Sequence, residues 1–216
     1  MKHRDNYEVM KERMQGKFLE YDQAAMIRKF GLRHDGQYLY LPFVGREYRI
    51  SRTGGGVSWS EDGFRSESPA NYSEAMSIYD VLCCAREDCC LAGSFVTSRS
   101  LSGVFQGSDP GGGLFGQACA AIDRETECFR RACESLGAAA VAGGDAAYRF
   151  WVFPFLPMVL RFWNSDEEFP ASLDLLWDAN VLDFIRFETT WFVAGHVLAR
   201  VQERMAQLKA ADERDA

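Results

Sequence analysis

The stretch Phe150 to Leu160, "FWVFPFLPMVL", narrows the possible folds more than any other part of the chain. It is far shorter than the ~20 apolar residues that span a bilayer as a helix. Pro154 and Pro157 also bar a continuous helix, because each removes a backbone donor and clashes with the turn before it. The segment reads instead as two strands, Ala147–Phe153 and Met158–Trp163, joined by Pro154-Phe155-Leu156-Pro157. A third strand follows after "NSDEEFPA", over Ser172–Trp177. There Leu173, Leu175 and Trp177 alternate with Ser172 and Asp174, the period of a half-buried strand. Short connections between successive strands predict antiparallel pairing.

The remainder supplies helices to cover such a sheet. Asp5-Asn6-Tyr7-Glu8 resembles a capping box, and the pattern predicts a helix running on to Gly31, with Tyr7, Met10, Met14, Tyr21, Ala25 and Arg28 along one stripe. "QYLYLPFVGREYRIS" and "GGGVSWS" read as short antiparallel strands turning at Val44-Gly45-Arg46 and Thr53-Gly54-Gly55-Gly56. Further helices are predicted from Ser73 to about Arg86, from Leu114 to Leu136, and from near Asp178–Val181 to Leu208, with "KAADERDA" fraying. The fold class is α+β, helices packed on a mainly antiparallel sheet. It is expected as a single domain over residues 1–216, ordered from about residue 5 to about residue 209.

Lys and Arg number 24 against 31 Asp and Glu, a net charge of −7. Such a surface repels phosphate backbones, and no basic run with interleaved aromatics occurs, so the expected partners exclude nucleic acid. No membrane segment and no secretory h-region are apparent, which predicts a cytoplasmic protein whose seven cysteines are reduced thiols. Their spacing agrees. In "CCAREDCC", Cys83 and Cys90 on one helix would stand roughly 10 Å apart along its axis, too far for one zinc. Cys83 lies in a row with Met76 and Tyr79 and reads as a small core residue. No metal site is predicted. Gly111, Gly113 and Gly116 match G-x-G-x-x-G, but no strand-and-acid context accompanies them. Asp178-Ala179-Asn180 begins like a calcium loop, and Leu182 and Asp183 then break the pattern. His34 and His196 read as isolated surface or capped histidines.

One cluster stands out. "RFWNSDEEFPASLDLLWDAN" gathers Asp166, Glu167, Glu168, Asp174 and Asp178 among Phe162, Trp163, Phe169 and Trp177. The last helix carries an apolar seam at Trp191, Ala194, Leu198, Val201, Met205 and Leu208; traced back toward Phe184 and Val181, it places Glu188 in a core slot. A carboxylate buried there needs a partner, with Arg161 and Arg186 nearest in sequence. The expected ligand-binding residues are therefore Arg161, Trp163, Asp166, Glu168, Asp178 and Glu188, around an acidic pocket with aromatic walls.

The same segment carries a family likeness. Pro154, Pro157, Trp163, Asp166, Glu168, Phe169, Pro170, Leu175, Leu176, Trp177, Asp178 and Glu188 fall where a P-x-x-P approach, a W-x-x-D-x-E-F-P turn, an "LL-W/F-D" strand and a glutamate-bearing helix are found in a prokaryotic family, domain of unknown function 3786. "SIYDVLCCAREDCCLAGSFVTSRSL" is similar to that family's middle element. The resemblance implies a cytoplasmic protein of an anaerobe, with some relatives tied to iron–sulfur or corrinoid and one-carbon metabolism. It implies no established activity, and it assigns no cofactor. The leading expectation is a non-catalytic accessory or ligand-binding domain that takes a protein partner or a small molecule. The alternatives are an enzyme using the acidic corner, with or without a metal, and a protein–protein interaction module. Oligomeric state is left open.

Overall fold

A computed structural model describes residues 6–101 and 114–215. It is α+β, with the strands divided between two antiparallel five-stranded sheets. The chain opens with α1 (Asn6–Phe18) and α2 (Gln23–Phe30) in place of one helix to Gly31. Asp22 accepts a hydrogen bond from the Ala25 amide at 3.1 Å and starts a new helix, which Gly31 closes at φ 61°. Only Phe18 of α1 is buried; Tyr7 and Met10 at the start of the predicted stripe are exposed, whereas Met14 and Tyr21 pack against the core.

The first sheet runs β1 (Arg33–His34), β2 (Tyr38–Phe43), β3 (Arg46–Ser51), β4 (Val57–Ser60) and β5 (Ser68–Pro69) in chain order. Both central residues of the β2–β3 turn have positive φ, 47° at Val44 and 70° at Gly45, as a tight two-residue hairpin requires. A β-branched residue is disfavoured there. Val44 is held by donating its amide to the Val152 carbonyl at 3.0 Å, which ties this turn to the second sheet. Next comes α3 (Tyr72–Cys84), started by a reciprocal capping box between Asn71 and Glu74.

The second sheet has the order β6-β10-β9-β8-β7. β6 (Phe95–Thr97) runs into a 3-10 turn, and α4 (Leu114–Ile122) and α5 (Thr126–Ser135) replace the single predicted helix. The break falls at Arg124, φ 65°, where Asp123 is drawn away to bind Ser165. β7 (Ala139–Ala140) precedes β8 (Ala146–Phe153), β9 (Leu156–Trp163) and β10 (Ser172–Asp178), the three strands expected from the prolines and the alternation. α6 (Val181–Phe184) and α7 (Phe187–Asp215) complete the chain. α7 continues beyond Leu208 because Lys209 pairs with Glu125 at 2.9 Å and Asp212 with Arg131 at 2.7 Å, fastening its last turns to α5.

α7 is the central post. Its Val193, Ala194, Val197, Leu198, Val201 and Met205 are buried in one core with Leu39, Leu41 and Ile50 of the first sheet and Phe150, Phe162 and Trp177 of the second. Phe43 stacks on Phe153 at 4.6 Å across the junction of the sheets. Each such side chain contributes about 1.5–3 kcal/mol by leaving water. Among the described residues, no helix is long and apolar enough to cross a membrane.

Candidate functional site

The structure moves Glu188 out of the core. α6 and α7 are separate helices because Ile185 is extended, φ −140° and ψ 155°. Asp80 of α3 then caps α7 from a distance, accepting from the Arg186 amide at 2.7 Å and the Thr189 hydroxyl at 2.6 Å. The new helix starts in a different phase. Thr189 and Thr190 turn inward, Thr190 satisfying its hydroxyl on the Phe187 carbonyl at 2.6 Å, and Glu188 is exposed. The expectation of a buried Glu188 paired with Arg161 or Arg186 is therefore corrected.

Asp178 is buried, but away from the acidic turn. Its carboxylate accepts from the amides of Ala92, Gly93 and Asn180, each at 2.9 Å. It lies at the other end of β10 from Ser172, about 20 Å along the strand. Its role is to fasten the loop before β6.

The turn between β9 and β10 brings the rest together. Trp163, Asp166, Phe169 and Asp174 line one cleft with Asp145, Asn164, Pro170 and Ser172. A second cleft adjoins it through Asn164 and Asp166 and reaches Asp123, Arg124 and Glu127. Asp145, which the sequence reading left out, enters from the turn before β8; its carboxylate accepts from the Asn164 amide at 2.7 Å. Asp166 folds its own turn by accepting from the amides of Glu168 at 2.8 Å and Phe169 at 2.7 Å. Ser165 donates to Asp123 from both its amide and its hydroxyl, holding that carboxyl below the usual carboxylate range. Glu168 is exposed on the same turn, and Phe169 is 66% exposed beside it. Arg161 stands opposite Asp174 across the β9–β10 ladder without forming an ion pair among the described residues. Its Nε is buried without a hydrogen-bond partner, close against Gly143, where a Cβ would come within 2.9 Å of it.

A second polar cluster lies in the interior. His196 is 7% exposed, with its ring 4.3 Å from that of Phe43, Nε2 3.4 Å from the Tyr48 hydroxyl and Nδ1 3.4 Å from a Glu74 oxygen. Burial, helped by the charges of Arg200 and Arg46, pushes its pKa down to about 3, so the ring is neutral and the Glu74 contact is no ion pair at neutral pH. Burial and the nearby Glu74 push the Tyr48 phenol up. Arg46 and Arg200 reach past this cluster to Glu61 and Glu203 at 2.7–3.2 Å. The reading of His196 as a surface or capped histidine is thus corrected. The available signal was its place three residues beyond Val193 and four before Arg200, on the inward side of α7. Tyr48, Glu74, Arg46 and His196 are all under 8% exposed, so the cluster joins α3, β3 and α7 and is closed to substrate.

Burial raises the thiol pKa values of Cys84, Cys89, Cys119 and Cys128, and lifts Cys83 to about 12. Protonated thiols of this kind are poor ligands and nucleophiles. Among the described residues, no group of three or more His, Cys, Asp or Glu side chains is placed to hold a metal ion. Gly111 and Gly113 of the glycine motif lie outside the described residues. No curated protein and no solved structure matches the chain. Residues 22–200 match a family model, and with most of its length covered the chain belongs to the family described as Domain of unknown function (DUF3786).

Proposed function

We propose that this protein is a ligand-binding accessory domain whose cleft at the β9–β10 turn takes a cationic group. One observation carries the reading: the cleft sets the carboxylates of Asp145, Asp166 and Asp174 beside the rings of Trp163 and Phe169. Carboxylates attract an ammonium or guanidinium, and aromatic faces add cation–π attraction, worth about 0.5–1 kcal/mol at an exposed site. Backbone amides already occupy one oxygen of Asp145 and one of Asp166, which fixes the carboxylates in place.

Trp163 provides the readout. Titration with an arginine-rich peptide or spermidine should change tryptophan fluorescence saturably, whereas an acidic peptide should not. Asp166→Asn with Asp174→Asn should weaken binding about tenfold or more, as loss of two charge contacts implies. No saturable response to either cation would refute the reading.

A further inference from the structure

The two sheets turn similar side chains outward but treat them differently. On the first, Arg33 pairs with Glu47 at 2.9 Å and lies over Tyr40, while Arg49 pairs with Glu67 at 2.8 Å and lies over Tyr38. On the second, Tyr148, Phe162 and Leu175 face the core, and Arg149, Trp151 and Arg161 alternate to the opposite side. Among the described residues, neither Arg149 nor Arg161 has a carboxylate partner, and the Nε of each is buried without a hydrogen bond. Trp151 is 47% exposed beside Arg149.

We propose that this face docks a second copy of the chain, with Arg149 and Arg161 of each copy meeting the acidic turn of the other. The proposal rests on the cleft reading above and names the cationic group as these arginines. The same chain carries the charge complement. Glu167 and Glu168 are exposed at the β9–β10 turn and form no ion pair among the described residues. Within one chain the charges stay apart: Arg149 lies opposite Val159, about 16 Å along β9 from Asn164, where the turn begins, and Arg161, though nearer the turn and opposite Asp174, is held against Gly143 and forms no ion pair among the described residues. A two-fold axis through the face solves this, because each turn then reaches the other copy's arginines and both contacts form at once. Trp151 on the face and Phe169 at the turn supply exposed aromatic anchors, the residue type that dominates interface energies. Polyphosphate fits poorly, since Asp174 stands opposite Arg161 across the β9–β10 ladder. The eight-residue strands give a footprint about 26 Å long, with the turn added, which suits a modest, salt-sensitive dimer.

The test is sedimentation equilibrium of the full chain from low to several hundred micromolar. The mass should rise from 24.4 kDa toward twice that value, less so in high salt. Arg149→Glu with Arg161→Glu, and separately Glu167→Lys with Glu168→Lys, should each give a folded monomer by circular dichroism. Mixing the two variants should restore a heterodimer, because both contacts then regain opposite charges. A wild-type monomer at every concentration overturns the proposal, as does a dimer indifferent to both charge reversals. The cleft reading is judged separately, by whether spermidine still binds the monomeric Arg149→Glu, Arg161→Glu protein.

Discussion

The outer face of the first sheet is finished with its own side chains, whereas that of the second leaves its arginines unanswered. Glu47 and Glu67 neutralise Arg33 and Arg49 while Tyr40 and Tyr38 cover their stems. Arg149 and Arg161 have the same stems and heads, yet their charge is met by no described carboxylate. Residue type alone therefore does not distinguish a closed surface from an interacting one. What separates them is whether each charge finds an opposite charge within the chain. The interior cluster around His196 belongs with the first sheet in this respect, because Arg46 and Arg200 are both met by Glu61 and Glu203, although the Arg200 Nε is also buried without a hydrogen bond.

The largest effect is expected where a paired arginine is removed. Arg46 is 6% exposed, bound to Glu61 at 2.9 Å and Glu203 at 3.1 Å, and stacked 3.6 Å from the Trp59 ring. Arg46→Met should lower unfolding stability by about 2–4 kcal/mol in urea denaturation, since it removes charge-assisted hydrogen bonds to two carboxylates and the contact with the Trp59 ring together. A loss under about 0.5 kcal/mol would show that the network contributes little.

An effect of comparable size should appear with pH. His196 resists protonation when folded and accepts a proton near the ordinary imidazole pKa of about 6.5 when unfolded. The unfolded chain therefore binds more protons between that value and about 3, so stability is complete above pH ~6.5 and falls as pH drops through this window, by up to ~1.4 kcal/mol per unit. Thermal melts from pH 7 to pH 4.5 should show this decline, and His196→Gln should flatten it. An unchanged slope in the variant would assign the decline to other groups.

The smallest effect is expected on the unfinished face. Arg161→Met should change monomer stability by no more than about 0.5 kcal/mol, because no ion pair is lost and an unpartnered buried Nε is removed. A cost equal to that of Arg46→Met would erase the contrast between the sheets.

Much of this architecture is legible in the sequence where the cause is local. Pro154 and Pro157, with the alternation from Leu173 to Trp177, place β8, β9 and β10 correctly. The Asp166 turn is likewise local, since its carboxylate binds amides two and three residues ahead. Positions set by distant groups are not legible. Asp80 lies more than a hundred residues before the Arg186 amide that it caps, and that cap resets the phase that had put Glu188 inside. Asp178 is claimed by amides of Ala92 and Gly93 from another part of the chain. Asp145 joins the cleft only because β8 and β9 pair. The two threonines at the start of α7 mislead for a different reason. They are polar by type, but their hydroxyls bond inside the protein, so they occupy core positions that hydrophobic periodicity assigns elsewhere.

The most direct test of the central claim, that the second sheet's outer face is the surface this protein uses, is a dilution series followed by the NMR signals of its five tryptophan indoles. The Trp151 and Trp163 signals should move together with concentration, while those of Trp59 on the first sheet and buried Trp177 stay fixed. Signals for Trp151 and Trp163 that never move, or a Trp59 signal that moves instead, would contradict the account.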